Sequence, residues 1–125
     1  MDIGKLKNNN KYYEGYEGEG EITVSFEEKP EFCLHIWDGY FENIFGEPIP
    51  GDGPWFGFTR DYQECMGAFG GGQGRIEDID EYLRDLRQYE DMKFSYEEPD
   101  GCLKLLKDFL QYAKANNEPV LVENN

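Results

Sequence analysis

Residues 21–38 read "EITVSFEEKPEFCLHIWD", and the two halves of this stretch share one pattern. Ile22, Val24 and Phe26 alternate with Thr23, Ser25 and Glu27. After the break at Pro30, Phe32, Leu34 and Ile36 point one way and Cys33, His35 and Trp37 the other. A period of two is that of a strand with one face against a core, because successive side chains leave a pleated backbone on opposite sides. Two such runs a few residues apart predict a β-hairpin.

On the C-terminal side of the hairpin, Asp38-Gly39 predicts a turn and "YFENIF" (40–45) a third strand. "GEPIPGDGP" (46–54) is dense in turn residues and predicts a loop. "WFGFTR" (55–60) resumes an extended pattern, and "GAFGGGQG" (67–74) predicts a flexible connection. On the N-terminal side, "YYEGYEGEGE" (12–21) repeats Tyr-Glu-Gly only once, too little for a structural repeat. Residues 1–11 read as a polar, flexible lead-in whose "NNN" at 8–10 is not expected to pack.

The period then changes. In "IEDIDEYLRDLRQY", Ile76, Ile79, Leu83 and Leu86 follow at helical spacing, with acids in the first turn and Arg84 and Arg87 later, as the helix dipole favours. "KFSYEE" (93–98) suits a short strand, and Pro99 suits a first helical position. Leu103, Leu106, Leu110 and Ala113 then mark a longer helix ending near Asn116-Asn117, before a last strand in "EPVLVEN". The expected fold is α+β, one domain over 1–125: an N-terminal antiparallel sheet, two C-terminal amphipathic helices packed against it, and a short final strand.

Charge bounds the partners. The 125 residues carry 27 acids against 12 bases, a net charge of −15. A field of that sign repels phosphates and anionic lipid and draws cationic partners, so neither nucleic acid nor membrane is an expected partner. From Tyr12 to Thr59 there are eleven acids and one base, Lys29, an asymmetry that solubility does not require. No run is long and apolar enough to span a bilayer, and "MDIGKLKNNNKYYEG" lacks the apolar segment of a secretory signal, so a cytoplasmic location is expected. Cys33, Cys65 and Cys102 are widely spaced and read as reduced thiols, partly or wholly buried.

Familiar chemistry is thin. His35 is the single histidine, read as a strand residue facing solvent or a partner, with no nucleophile context. "GAFGGGQGR" lacks the Gly-Lys-Ser/Thr ending of a phosphate loop. Asp78 and Asp80 lack the glycine and terminal glutamate of a calcium loop. No cofactor, metal site or catalytic residue is therefore expected. Asp38 and Glu42 beside Tyr40 and Trp55 suit sugar chemistry, which keeps a glycan-active or glycan-binding protein as an alternative. An acidic regulator that mimics nucleic acid is another.

The segment 37–62 interleaves aromatics with acids, glycines and prolines. Phe41, Ile44, Phe45, Phe56 and Phe58 are core candidates. Tyr40, Trp55 and Tyr62, flanked by turn residues and acids, are candidate anchors of a recognition surface, since aromatics dominate interface hot spots. Asp38, Glu42, Asp52, Asp61 and Glu64 would supply complementarity to a basic partner.

"FCLHIWDGYFENIFGEPIPGDGPWFGFTRDYQECMG" (32–67), "IEDIDEYLRDLRQYEDMKFSYEE" (76–98) and the last helix together resemble the small immunity proteins of bacterial contact-dependent growth-inhibition and related polymorphic-toxin systems. The resemblance spans residues 20–123. It implies a cytosolic, non-catalytic antidote that binds a cognate toxin's C-terminal domain one to one. Such toxins are often cationic nucleases. Asp38, Tyr40, Glu42, Asp52, Trp55, Asp61, Tyr62 and Glu64 would then form the toxin-binding set.

Overall fold

The computed structural model describes residues 3–46, 54–90 and 97–124. A 3-10 turn at Ile3–Leu6 leads to β1 (Asn9–Tyr12), followed by β2 (Glu21–Phe26) and β3 (Cys33–Trp37). Next come α1 (Asp38–Phe45), α2 (Gly57–Gln63), the one-turn α3 (Ala68–Gly71) and β4 (Gln73–Ile76). The chain continues through α4 (Ile79–Arg87), α5 (Glu97–Asn116) and β5 (Val120–Asn124). The strands form a sheet in the order β1-β3-β2-β5-β4, so the fold is α+β as the two periodicities require.

The hairpin lies at the centre. β2 and β3 pair antiparallel with Ile22 opposite Ile36 and Val24 opposite Leu34, all four buried. β5 pairs β2 on its other side, Val24 opposite Val122 and Phe26 opposite Val120. These residues make one face of the sheet apolar, and it shares a single core with Phe41, Phe45, Phe58, Leu86, Leu106 and Phe109 of the helices. The opposite, outer face carries Glu21, Thr23, Ser25, His35, Leu121 and Glu123, all part-exposed.

Four segments differ from the sequence reading. Residues 40–45 are helical: Tyr40, Phe41, Ile44 and Phe45 recur at helical spacing and all four are buried, so packing outweighs the strand preference of aromatics. Residues 57–63 are helical as well. The glycine-rich run holds α3 and then β4, whose Ile76 is a strand residue and not the start of α4. The N-terminal stretch is no loose lead-in, because Leu6 is fully buried and β1 pairs parallel to β3, making the sheet mixed. The strand expected at 93–98 falls mostly outside the described residues, and Glu97 and Glu98 open α5.

α5 ends as its sequence suggests. Asn117 takes a left-handed conformation at φ 53°, and the Glu118 amide donates to the Ala113 carbonyl at 2.9 Å. That turn delivers the buried Glu118 to Lys29 of the β2–β3 turn, 2.9 Å away.

The placement of α2 rests on Asp85, a fully buried carboxylate on α4. No side chain at Phe56 caps α2, and Asp85 does so from across the core. Its Oδ2 accepts the Thr59 amide at 2.9 Å and its Oδ1 accepts the Thr59 hydroxyl at 2.7 Å and Gln88 Nε2 at 2.9 Å. With the threonine proton so committed, the Tyr89 hydroxyl 2.6 Å away donates to Thr59 Oγ1. Gly57 enters α2 at φ 63°, and a Cβ there would come within 2.7 Å of the Asp85 side chain, so both conformation and space require glycine.

Burial pushes the Asp85 carboxyl up to about 6, against the opposing pull of its hydrogen bonds. The fold thus favours the protonated acid, and the stability this contributes is full below about pH 4 and lost as pH rises through 6. Replacing Asp85 by Asn removes that titration and leaves the other carboxylates in place. The stability of the wild type relative to Asp85→Asn is expected to fall by about 2–3 kcal/mol between pH 4 and pH 6.5 in urea titrations. A gap that does not change with pH would overturn this assignment.

Candidate functional site

α1 and α2 bring part of the expected surface together. Gln63 Nε2 donates to the Phe45 and Gly46 carbonyls at 2.6 and 2.7 Å, closing the C-terminus of α1 onto α2. Asp38 opens α1 and Glu42 follows one turn later, both exposed. Tyr62 of α2 lies against Phe69, its phenol raised by burial and then by the nearby carboxylates of Glu42 and Asp38. Asp38, Glu42 and Tyr62 therefore share one neighbourhood. Glu64, two residues beyond Tyr62, is exposed.

The remaining candidates are placed differently. Tyr40 is 9% exposed, its ring edge-on to Tyr12, Tyr16 and Trp37 at 6.2, 5.8 and 5.1 Å. It belongs to an aromatic cluster inside the fold. Asp61 is also buried: Oδ1 accepts from Arg60 Nη2 at 2.9 Å, and Oδ2 accepts from the Tyr82 hydroxyl. Asp61 and Tyr82 help to line a cavity of about 120 Å³ between α2, α3 and β4. Trp55 is half-buried with its indole N–H unpaired. Asp52 lies outside the described residues.

Beside α1, residues 13–20 form a loop of successive turns. Tyr16 stacks on Trp37 at 3.9 Å with 5° between the planes, and the Tyr13 hydroxyl donates to the Glu19 carbonyl at 2.9 Å. The Asp38 amide donates to the Gly20 carbonyl at 3.1 Å, which joins this loop to the start of α1. Glu14, Glu17 and Glu19 project along it, exposed.

Ten of the twelve bases are engaged within the molecule. Lys5, Lys29, Arg60, Arg75, Lys104, Lys107 and Lys114 each reach a carboxylate of the chain. Lys7, Lys11 and Arg84 lie over the rings of Phe32, Tyr12 and Phe56. Among the described residues no cation pairs with Glu14, Glu17, Glu19, Asp38, Glu42, Glu64 or Glu98. Glu98 is near this region too, since its charge acts on Tyr40 and Tyr12.

The outer face of the sheet holds a second polar group. Cys33 Sγ lies 3.5 Å from His35 Nε2, and His35 Nδ1 lies 3.0 Å from Glu21 Oε2. The i, i+2 spacing of Cys33 and His35 places them on one side of β3, a legible signal. Glu21 arrives only through the pairing of β2 with β3. Of the other thiols, Cys102 is buried while Cys65 is exposed, contrary to the expectation that all three would be covered. Among the described residues no group of three or more His, Cys, Asp or Glu could hold a metal ion, and no helix is long and apolar enough to cross a membrane. No family model, curated protein or solved structure matches the chain.

The contrast between Tyr40 and Tyr62 is measurable as stability. Truncating Tyr40 to Ala removes a buried ring and is expected to cost about 3–4 kcal/mol, while Tyr40→Phe costs no more than about 1 kcal/mol. Tyr62→Ala should cost less than half as much as Tyr40→Ala, read from urea midpoints. Equal losses would place both rings in the same environment.

Proposed function

We propose that the chain is a cytoplasmic immunity protein that binds the C-terminal domain of a cognate toxin, a basic nuclease, and occludes its active site without catalysis. The observation that carries this reading is the unneutralised acidity of one region. Among the described residues, Asp38, Glu42 and Glu64 on and after α1 and α2, with Glu14, Glu17 and Glu19 of the loop beside them, pair with no cation, whereas ten of the twelve bases are engaged with other groups of the chain. A carboxylate left without an internal partner keeps its field for an incoming one, which speeds encounter and rejects anionic competitors.

Within this reading Tyr62 is the apolar contact among the carboxylates, and the half-buried Trp55 is a second. Tyr40 and Asp61 act indirectly: the first supports α1 from below, and the second holds α2 through Arg60 and Tyr82. The surface is carried by helix positions that the core fixes, so it meets a partner with little ordering cost.

Coexpression with the toxin domain encoded beside this gene should restore growth, and the purified pair should form a one-to-one complex. Failure of both would remove the reading. In stopped-flow measurements the association rate should fall steeply from 0.05 to 1 M salt, as the screening length contracts from above 10 Å to about 3 Å. Combining Asp38→Asn, Glu42→Gln and Glu64→Gln should slow association about tenfold at low salt with little change in dissociation, whereas Tyr62→Ala should mainly speed dissociation. An association rate indifferent to salt would reduce the acidity to a solubility role.

A further inference from the structure

The thiol, imidazole and carboxylate on the outer face form a chain in the order that nucleophilic cysteine chemistry uses. The Nδ1 contact with Glu21 at 3.0 Å fixes the histidine tautomer: Nδ1 carries the proton and donates it to the carboxylate. Nε2 is then the acceptor, and the Cys33 thiol 3.5 Å away is its donor. All three groups sit on the sheet face opposite the core, with the side chains of His35 and Glu21 at 33% and 23% exposure. Cys33 itself is 7% exposed, at the start of β3 and opposite Ser25.

We propose that Cys33 is a modification site, a thiol that His35 activates as general base for exchange with small cationic or neutral disulfides. The Cys33 sulfur attacks one sulfur of the disulfide as His35 Nε2 takes the thiol proton. A bond forms between Cys33 and the attacked sulfur, the original S–S bond breaks, and the departing thiolate recovers the proton from His35. Cys33 is oxidised to a mixed disulfide and half of the reagent is reduced to a thiol. Glu21 stabilises the transient imidazolium.

The resting state agrees with base assistance and not with a standing thiolate. Burial, followed by the charges of Glu21 and Glu123, pushes the Cys33 thiol up to about 11. A sulfur that waits as a neutral thiol needs its proton removed during the attack, and His35 is placed to do so. The same carboxylates select the reagent, because they repel an anionic disulfide and attract a cationic one.

Cystamine, a cationic disulfide, and the dianionic 5,5′-dithiobis(2-nitrobenzoate) are the probes, with intact mass and peptide mapping as the readout. Cys65, exposed and remote from the relay in the chain, is the control within the same molecule. Cystamine should label Cys33 as well as Cys65, and the ratio of Cys33 to Cys65 labelling should drop at least tenfold with the dianionic reagent. His35→Gln should slow labelling of Cys33 by about tenfold or more and leave Cys65 unchanged. The rate at Cys33 should level off well below pH 11 in the wild type, and should climb tenfold per pH unit in His35→Gln. If His35→Gln loses the fold, Glu21→Gln tests the same relay and should slow Cys33 severalfold. A native protein in which Cys65 reacts fully and Cys33 not at all would overturn the proposal, as would equal rates at Cys33 with and without His35.

Discussion

A buried carboxylate that closes the end of a helix on another element organises this molecule. Helix α2 begins without a capping side chain of its own, so its first amides would face an apolar interior. Asp85 supplies acceptors from 26 residues away and in doing so ties α2 to α4. Thr59 and Tyr89 complete the polar island, which leaves the amide, both hydroxyls and the carboxylate with partners. The island costs desolvation, visible in the upward displacement of the Asp85 carboxyl, and its return is orientation. Once α2 is set, Gln63 meets the end of α1, and Tyr62 comes to lie beside Asp38 and Glu42.

That hierarchy explains which parts of the molecule were legible in the sequence. The hairpin, α4, the later turns of α5 and β5 each carry their own periodicity, which local residues impose. α1 departs from the strand expectation because Tyr40, Phe41 and Phe45 favour strands as residue types while their spacing fits a helix face, and the face prevails. α2 could not be read locally, since its start depends on Gly57 accepting a positive φ against a side chain far along the chain. The candidate surface divided on the same principle. Among the described residues, Asp38, Glu42 and Glu64 are polar positions with no internal partner to draw them in, and they remain exposed. Tyr40 and Asp61 were drawn inward by partners, Tyr12 and Tyr82 among them, that no linear pattern places beside them. Cys33 and His35 were visible as a pair on one strand face, but their connection to Glu21 needed the register of β2.

The charge distribution has a structural counterpart. Salt bridges cross between elements that packing already joins, as with Lys29 and Glu118 or Lys114 and Asp80, and use up the cations where the chain folds on itself. The loop at 13–20 and the outer side of α1 receive none. Surface ion pairs of this kind contribute little stability individually. Among the described residues they leave Glu14, Glu17 and Glu19 without a cation on the loop whose Tyr16 stacks on Trp37.

The interior position of β5 has a consequence for the order of assembly. β2 finds β3 almost at once, but its other edge waits for a strand that follows α5 in the chain, and β4 has β5 as its neighbour in the sheet. During synthesis the hairpin therefore emerges with an open edge while five helices are made. The sheet is complete only once residues 120–124 pair with β2 on one side and β4 on the other. Closure of the sheet depends on contacts distant in sequence, which slows it and leaves an unpaired edge exposed in the meantime. The acidic segment between Tyr12 and Thr59 is already synthesised by then, and its mutual repulsion keeps neighbouring nascent chains apart at the stage when a bare strand edge is most easily captured.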